Sequence, residues 1–578
     1  MDFESPKPKA KIIGPKPGLR YIYKTLELLS PETDEFDNKT RWTELHGRIK
    51  PFENINQLSD NVREVVRKFI SKKVPLLSEK IPFVNKLDGR NLLNALANNW
   101  FEEIGEEVSG KRREVLLSVM AHMVKRIETT VYKKFISQAN PEELKKIGID
   151  ASVKDLLVDV LEASIKADPL FIRFLAFSQL TPEAPSGIEP TSLVVPGVET
   201  PQTIASLFPH ETHYISKKFS GIALKSESWI NLPGGQIFKN YAIALSELFK
   251  EENTEEAAKK QDLVKRLYAE LVKSEFPIII TPGVEGYYKE PYFDPELKIS
   301  ISSPDSRKEE EYFHGIQASM SDSLSELNVE EASERMKKRP IRVVDTIGAF
   351  GVNLIFNVTA QEDPVILMYL NEQIRACDKG FHSFISLIEN SEEAFNKSEP
   401  DFMEKISRAN TILHELSHSI FPEKSKEAKR LGEVPETSIS EIGAEIFYRP
   451  LVPEILEKGG MAGTREQWAI GMLASSLQVL KDNFSGDPYY YAAVYSLNDL
   501  FEKGTVVFDG KKLKIIDFDL YYQVQKTAAK EVVALYRNPE MTESKAKNWI
   551  TRKCRPNEHV NKLSAFLEKI PDSDKEEK

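Results

Sequence analysis

At 578 residues, with 41% hydrophobic and 29% charged side chains, the chain has the size and balance of a soluble globular protein of two or three domains. Its net charge of −11 is spread along the sequence, which argues against nucleic acid or an anionic membrane as the main partner. The sequence has no apolar run near the ~18 residues of a membrane span and no N-terminal apolar segment typical of a signal peptide. Cys377 and Cys554 are the only cysteines in the sequence, so no disulfide framework is predicted. The absence of such a framework is typical of a reducing compartment, and we predict a cytoplasmic location.

Composition and periodicity divide the chain into five regions. Residues 1–25 are rich in Lys and Pro and are predicted to be a disordered arm, and residues 26–180 are predicted to be a helical N-terminal region. Residues 181–345 begin as a proline-rich linker and continue as a mixed α/β lobe. Residues 346–562 are predicted to be a second helical lobe and residues 563–578 a charged tail. The predicted fold class is therefore α+β and rich in helix.

Hydrophobic spacing predicts where the helices lie. Apolar residues at helical intervals mark one helix across residues 58–70 and another across residues 116–127. The chain after Gln361 is predicted to be helical again. The charged residues 306–311 are predicted to be a solvated loop between such elements.

Short apolar runs rich in β-branched side chains predict the strands. Two of them, joined by Asp509-Gly510, are typical of a hairpin near the C-terminus. The predicted strands are residues 276–281, 298–302, 341–345 and 353–357, with the hairpin strands at residues 505–508 and 513–516.

The pentapeptide His414-Glu415-Leu416-Ser417-His418 is the most informative segment of the sequence. It lies in residues 408–420, whose apolar spacing predicts a helix. Two His four residues apart lie on one helical face, so both imidazoles can bind one metal ion. Glu415 lies about 100° further round the helix, where it can meet a metal-bound water. This pattern predicts a zinc hydrolase, and most often a peptidase.

A catalytic zinc site needs three protein ligands and one open position, and residues 435–445 offer the third ligand. Glu441 and Glu445 are four residues apart and so share a helical face. We interpret Glu441 as the ligand and Glu445 as the carboxylate that accepts the spare N–H of a ligating His. The alternative is a capping box, in which Ser438 and Glu441 would mark the start of a helix. The need for three ligands favours the first interpretation.

This set of residues predicts a reaction. Two neutral imidazoles and one carboxylate would hold a Zn²⁺ ion, which polarises a carbonyl and lowers the pKa of its bound water to about 7. Glu415 would take the proton of the zinc-bound water as it attacks and pass it to the leaving amine. The predicted function is therefore a zinc-dependent metallopeptidase acting on short peptides. The alternatives are a hydrolase of another amide or ester, and a non-catalytic peptide-binding or scaffold protein that retains the metallopeptidase fold.

Both zinc segments resemble motifs of the gluzincins, and within them of the dipeptidyl peptidase III family. Residues 414–422 (HELSHSIFP) resemble the short form of the family's helix motif. Residues 440–445 (SEIGAE) resemble its second motif, whose second residue is the glutamate ligand, which corresponds to Glu441. The resemblance covers roughly residues 276–536 and implies a two-lobed fold, with a mostly helical zinc-binding lobe and a mixed lobe with a small strand core.

The resemblance also implies substrate-binding residues. Glu285 and Tyr287 lie in a segment that resembles the one whose Glu and Tyr hold the substrate's N-terminal amine in the family. Asn357 ends a stretch that resembles the one whose Asn binds the substrate backbone. These matches imply the release of dipeptides from the N-termini of peptides.

The sequence departs from the family pattern at two positions. Ala360 stands where the family has a second Asn, three residues after the first. Tyr489 stands thirteen residues before Glu502, where the family has a His that helps to stabilise the transition state. A phenol can also donate a hydrogen bond to an oxyanion, so Tyr489 is predicted to replace that His. The alternative is that Tyr489 is a packing aromatic like its two neighbours.

Overall fold

The computed structural model of the chain describes residues 49, 51–80, 111–178, 192–193, 202–282, 297–348, 355–358, 365–396, 398–399, 401–422, 425–483 and 485–570. The chain divides into two compact units. The first comprises Met1–Pro304 and Asp345–Val352, and the second comprises Asp305–Val344 and Asn353–Lys578. Helices dominate and the strands are few and short, so the predicted helix-rich α+β class is confirmed.

The described part of the first unit is mainly helical. Its helices are α1 (Ile55–Lys80), α2 (Lys111–Gln138), α3 (Pro141–Lys146), α4 (Lys154–Ser178), α5 (Ile204–Leu207), α6 (Pro209–Leu224), α7 (Gly235–Phe249) and α8 (Thr254–Lys273). Both predicted N-terminal helices are confirmed, as parts of α1 and α2. The apolar residues of α1 from Leu58 to Ile70 recur at helical intervals and are buried. They form the stripe through which the helix packs into the core.

The strands of the first unit form two small sheets. A short antiparallel pair consists of β1 (Ser192–Leu193) and β2 (Gln202–Thr203). A second sheet pairs β3 (Ile278–Pro282) with β4 (Leu297–Ile301), also antiparallel. The C-terminal half of β5 (Ile341–Gly348) pairs antiparallel with β4, and Thr346 lies opposite Ser300.

The second unit carries the remaining strands and helices. Its helices are α9 (Pro304–Ser321), α10 (Ser333–Lys338), α11 (Leu370–Ser386), α12 (Ser391–Phe395), α13 (Phe402–Ser417), α14 (Lys426–Leu431), α15 (Glu433–Phe447), α16 (Val452–Glu457), α17 (Arg465–Asp482), α18 (Pro488–Glu502), α19 (Phe518–Arg537), α20 (Glu543–Lys553) and α21 (Glu558–Leu567). Their apolar faces meet in one large buried cluster. No helix among the described residues is long and apolar enough to cross a membrane.

Among the described residues of the second unit, three strands pair in the order β5-β7-β6. The N-terminal half of β5 pairs in parallel with β7 (Val365–Tyr369), and β7 pairs antiparallel with β6 (Ile355–Val358). A separate hairpin joins β8 (Val506–Phe508) and β9 (Leu513–Ile515). The four predicted strands and the hairpin are therefore confirmed, with small shifts at their ends.

Two predictions about individual elements were wrong. Strand β7 lies in the region that was predicted to be helical; all five of its residues are apolar and buried, so it lacks the alternation that reveals a half-buried strand. The predicted loop at residues 306–311 is part of helix α9. Its carboxylates are bound by distant groups, since Glu309 pairs with Arg408 and Glu310 accepts from the backbone N–H of Val343.

Candidate metal centre

The two candidate His ligands lie at the C-terminal end of helix α13. The helix ends at Ser417 and His418 caps it, so the prediction of a helix across this segment is confirmed with different ends. Apolar residues of the last two turns, among them Leu413 and Leu416, are fully buried in the core of the unit. These residues anchor one side of the helix in the core. His414 is 7% exposed, and His418 is half-buried at the end of the helix.

Two arginines hold the end of α13. Arg339 donates a hydrogen bond of 2.5 Å from Nη1 to the carbonyl of Glu415, and Arg335 donates one of 3.2 Å from Nε to the carbonyl of Ser419. The last carbonyls of a helix lack partners within it and carry partial negative charge. Arg339 is a cationic donor at this position, and Arg335 holds the chain two residues past the helix end, so together they fix the turn that carries Glu415 and His418.

Helix α15 supplies the candidate carboxylates. It begins at Glu433, directly after Gly432, whose φ of 77° a residue with a side chain rarely adopts. Ser438 consequently lies in the second turn of the helix, and the capping-box alternative for Ser438 and Glu441 is wrong. Glu441 and Glu445 are both buried, one helical turn apart.

A close contact brings α15 against the segment that follows His418. A Cβ at Gly443 would lie 2.4 Å from Cζ of Phe421, so a larger residue would collide with the ring. Phe421 is itself buried and packs edge-on against Phe447 and Tyr536. A glycine between the two glutamates is therefore what allows the two parts of the site to approach.

The Nε2 atoms of both imidazoles face the carboxylate of Glu441, whereas each Nδ1 atom faces a different side chain. Nε2 of His414 lies 3.2 Å from Oε2 of Glu441, and Nε2 of His418 lies 3.7 Å from Oε1 of the same carboxylate. Nδ1 of His414 lies 3.2 Å from Oε2 of Glu445, and Nδ1 of His418 lies 3.1 Å from Oγ of Ser440. Each imidazole can thus place its proton on Nδ1 and direct the lone pair of Nε2 towards Glu441.

These residues fit a divalent metal ion. Nε2 of His414 and Oε2 of Glu441 are buried and have no hydrogen-bond partner, although they are only 3.2 Å apart. Two ligands on a tetrahedral Zn²⁺ ion, with bonds of 2.0–2.2 Å, lie about 3.3–3.6 Å from each other. The observed separations of 3.2 and 3.7 Å match this spacing. His414, Glu415 and His418 also offer ligand atoms within 4.8 Å of one another.

The electrostatics of the site favour a cation. Burial disfavours a charge on His414, but the carboxylates of Glu441 and Glu445 outweigh it and raise the pKa of His414 to about 10. Burial lowers the pKa of His418. Burial alone would raise the pKa of Glu441, but the two imidazoles outweigh it and lower that pKa. The buried carboxylates thus favour a proton on His414, and a metal ion bound at this site would take the place of that proton.

Glu415 lies beside this group and is more accessible. Its side chain is 14% exposed, against 6% for Glu441. Nη2 of Arg339 lies 3.7 Å from Oε2 of Glu415, and the Arg339 side chain is only 3% exposed. The same arginine therefore contacts both the carboxylate and the backbone carbonyl of Glu415.

Tyr489 lies next to His414. It stands in the first turn of α18, where Asp487 caps the helix by accepting the backbone N–H of Tyr489. The centres of the Tyr489 and His414 rings are 6.0 Å apart, and Tyr489 is 40% exposed. Tyr490 and Tyr491 instead pack against the apolar core.

The predicted site residues fall into three groups. The structure brings together His414, Glu415, His418, Glu441, Glu445 and Tyr489. Asn357 lies in β6, where its backbone is opposite Ile366. Glu285 and Tyr287 lie outside the described residues.

Sequence reasoning missed three residues around the site: Ser440, Arg339 and Arg449, whose Nη2 donates to Oε1 of Glu445. Arg449 had a usable signal, because it follows Glu445 by four residues and Glu–Arg pairs at this spacing meet on a helix. Ser440 adjoins Glu441 but has no property that marks it. Arg339 is 76 residues from Glu415, and nothing local reveals the contact.

Comparison with known proteins gave structural likenesses alone. No family model and no curated protein matches the chain. Among solved structures, DPP III from Caldithrix abyssi aligns over 96% of this chain and 92% of its own, with 13% identity and a TM-score of 0.48. Dipeptidyl-peptidase III from Corallococcus sp. strain EGB aligns over 69% of this chain and 75% of its own, with 13% identity and a TM-score of 0.46. Likeness at this level does not define the family of the chain.

Proposed function

We propose that the chain is a zinc-dependent metallopeptidase that hydrolyses short peptides. One observation carries the proposal: the Nε2 atoms of His414 and His418 lie 3.2 and 3.7 Å from the carboxylate oxygens of Glu441, the spacing of ligands around one zinc ion. Glu415 stands beside this group with a partly exposed carboxylate. Three ligands together with a carboxylate beside them are the parts of a catalytic zinc site.

Each residue has a role in this proposal. His414, His418 and Glu441 would hold Zn²⁺, which when bound polarises a carbonyl and makes its water acidic. Glu415 accepts the proton of the attacking water and delivers it to the departing amine. Glu445 accepts the Nδ1 proton of His414 and Ser440 that of His418, which keeps both rings oriented. Release of dipeptides from N-termini is a narrower proposal that rests on the motif resemblance.

Metal analysis of purified protein tests the proposal. We expect about one zinc per wild-type chain and none in the His414→Ala, His418→Ala double variant, because the variant retains only one of three ligands. Conversion of His382 to Ala is a matched control, since this His lies on α11, outside the site, and pairs with Glu404 of α13. Wild-type protein without metal, even after incubation with zinc, would contradict the proposal.

A second outcome would favour a peptide-binding scaffold over an enzyme. In that case the wild type would contain zinc and bind peptides but cleave no member of a panel of short peptides. Cleavage of esters or other amides, without cleavage of peptides, would point instead to a different zinc hydrolase.

Tyr489→Phe tests the proposed role of the phenol. Removing the hydroxyl should lower kcat by about 10²–10³-fold with little change in KM or in zinc content, because the group would act on the developing oxyanion. Tyr490→Phe is the matched control and should leave kcat unchanged, since this ring packs against the core. Equal kcat values for wild type and Tyr489→Phe would leave Tyr489 as a packing aromatic.

A further inference from the structure

A fully buried guanidinium lies behind Glu445, on the side away from His414. Arg449 is 0% exposed and follows Glu445 by one turn. Its Nη2 donates to Oε1 of Glu445, and its Nε donates to the Glu445 carbonyl over 2.9 Å. Oε2 of the same carboxylate is the atom that faces Nδ1 of His414. The two carboxylate oxygens are therefore divided between the arginine and the candidate ligand.

Arg449 is itself fixed by two neighbouring helices. Its Nη1 donates to Oγ of Ser496 in α18 over 2.8 Å, and its Nη2 donates to Oγ of Ser476 in α17 over 2.9 Å. Ser496 also accepts from Nε2 of Gln525 in α19 over 3.1 Å. All of these side chains are buried. Helices α17 and α18 thus hold the guanidinium, and with it the carboxylate, in one place, while α19 fixes Ser496.

Stability alone gives no reason for this arrangement. Charges are costly to bury, and an apolar group of similar volume often serves a core as well as a buried ion pair. The pair does have a directional effect, because a carboxylate held on Oε1 by Arg449 can present only Oε2 to His414. Groups that orient a metal-binding imidazole affect the affinity of the site for its metal.

We propose that Arg449 is a positioning residue for the metal centre: it fixes Glu445, which holds the Nδ1 proton of His414 and so directs Nε2 to the metal. The inference rests on the proposed function only in requiring that the site binds zinc. It requires no catalytic activity. Zinc affinity is accordingly the quantity that tests it.

The test compares the zinc Kd of the metal-free wild type and Arg449→Met by competition with a coloured chelator. We expect Arg449→Met to bind zinc about 10-fold more weakly, at the low end of the 10–100-fold range for partners of metal ligands, because it acts through Glu445. Since Arg449 acts through that residue, adding Arg449→Met to Glu445→Gln should weaken binding by less than the product of the two single effects.

Arg408→Met is the matched control. Arg408 is also buried and pairs with a carboxylate, Glu309, at 2.7 Å, and it lies on the same helix as the two His. Its loss should lower the thermal stability of the metal-free protein as Arg449→Met does, but leave the zinc Kd within about twofold. Equal weakening by both variants would overturn the inference, since it would show a general effect of disturbing the core.

A second variant covers the case in which Arg449→Met does not fold, and the zinc affinities then separate failure of the inference from failure of the proposed function. If Arg449→Met does not fold, the Ser476→Ala, Ser496→Ala variant keeps the ion pair and removes its anchors, and it should weaken zinc binding by severalfold. Unchanged zinc affinity in whichever variant is folded overturns the role of Arg449 but not the zinc site. A wild type that binds no zinc overturns the proposed function and the inference together.

Discussion

Glu415→Gln should retain zinc and lose about 10²–10⁴-fold in kcat, the range that general acid–base catalysis contributes. Glutamine has nearly the shape of glutamate, and the metal ligands in this proposal are His414, His418 and Glu441. An uncharged amide cannot accept the proton of the attacking water, so turnover falls while the metal stays. Zinc content and kcat for a cleaved peptide, measured on the same preparation, check the expectation.

Glu404→Gln is the matched control for that variant. Glu404 is a buried carboxylate on the same helix, and it pairs with Nε2 of His382 at 2.6 Å. The same chemical change there should leave both zinc content and kcat within about twofold. Undiminished turnover by Glu415→Gln would end the proposed mechanism, whatever the metal content.

Glu441→Gln and Glu445→Gln should differ in their effect on metal binding. Loss of the Glu441 carboxylate removes one of three ligands, so the variant should not hold stoichiometric zinc through dialysis. Loss of the Glu445 charge leaves all three ligands and should weaken zinc binding by about 10–100-fold. Metal content after dialysis and the Kd from chelator competition distinguish the two effects.

The two variants are each other's control, because the same substitution is made one turn apart on a single helix. The reverse order, with Glu445→Gln losing more zinc than Glu441→Gln, would assign the ligand role to Glu445. That result would fit poorly with the geometry, since Glu445 faces Nδ1 of one imidazole while Glu441 faces Nε2 of both.

Helical periodicity explains why much of the site could be predicted. Residues four apart on a helix share a face whatever the rest of the fold does, and the pairs His414–His418 and Glu441–Glu445 both use that rule. The arginine contact with Glu415 follows no such rule. Arg339 reaches Glu415 only because residues distant in sequence pack together, and a single sequence carries no record of that.

The incorrect predictions have the same origin. The charged start of α9 looked like a solvated loop because its carboxylates have no partners nearby in sequence; the partners of Glu309 and Glu310 come from α13 and β5. Strand β7 was missed because burial on both faces removes the polar positions that would have marked its period. Nothing in the sequence gives a reason for Gly443, which is explained by its contact with Phe421.

The division of the chain into two units bears on how the protein can be made. Asp345–Val352 belongs to the first unit, yet the ribosome delivers it only after Asp305–Val344, which belongs to the second. The single strand Ile341–Gly348 runs through the boundary between these segments. The first unit is therefore incomplete when its main segment leaves the ribosome, and part of the second must be synthesised before it can be finished. Neither unit corresponds to one uninterrupted stretch of coding sequence, so a gene fragment cut at residue 304 would encode only an incomplete half.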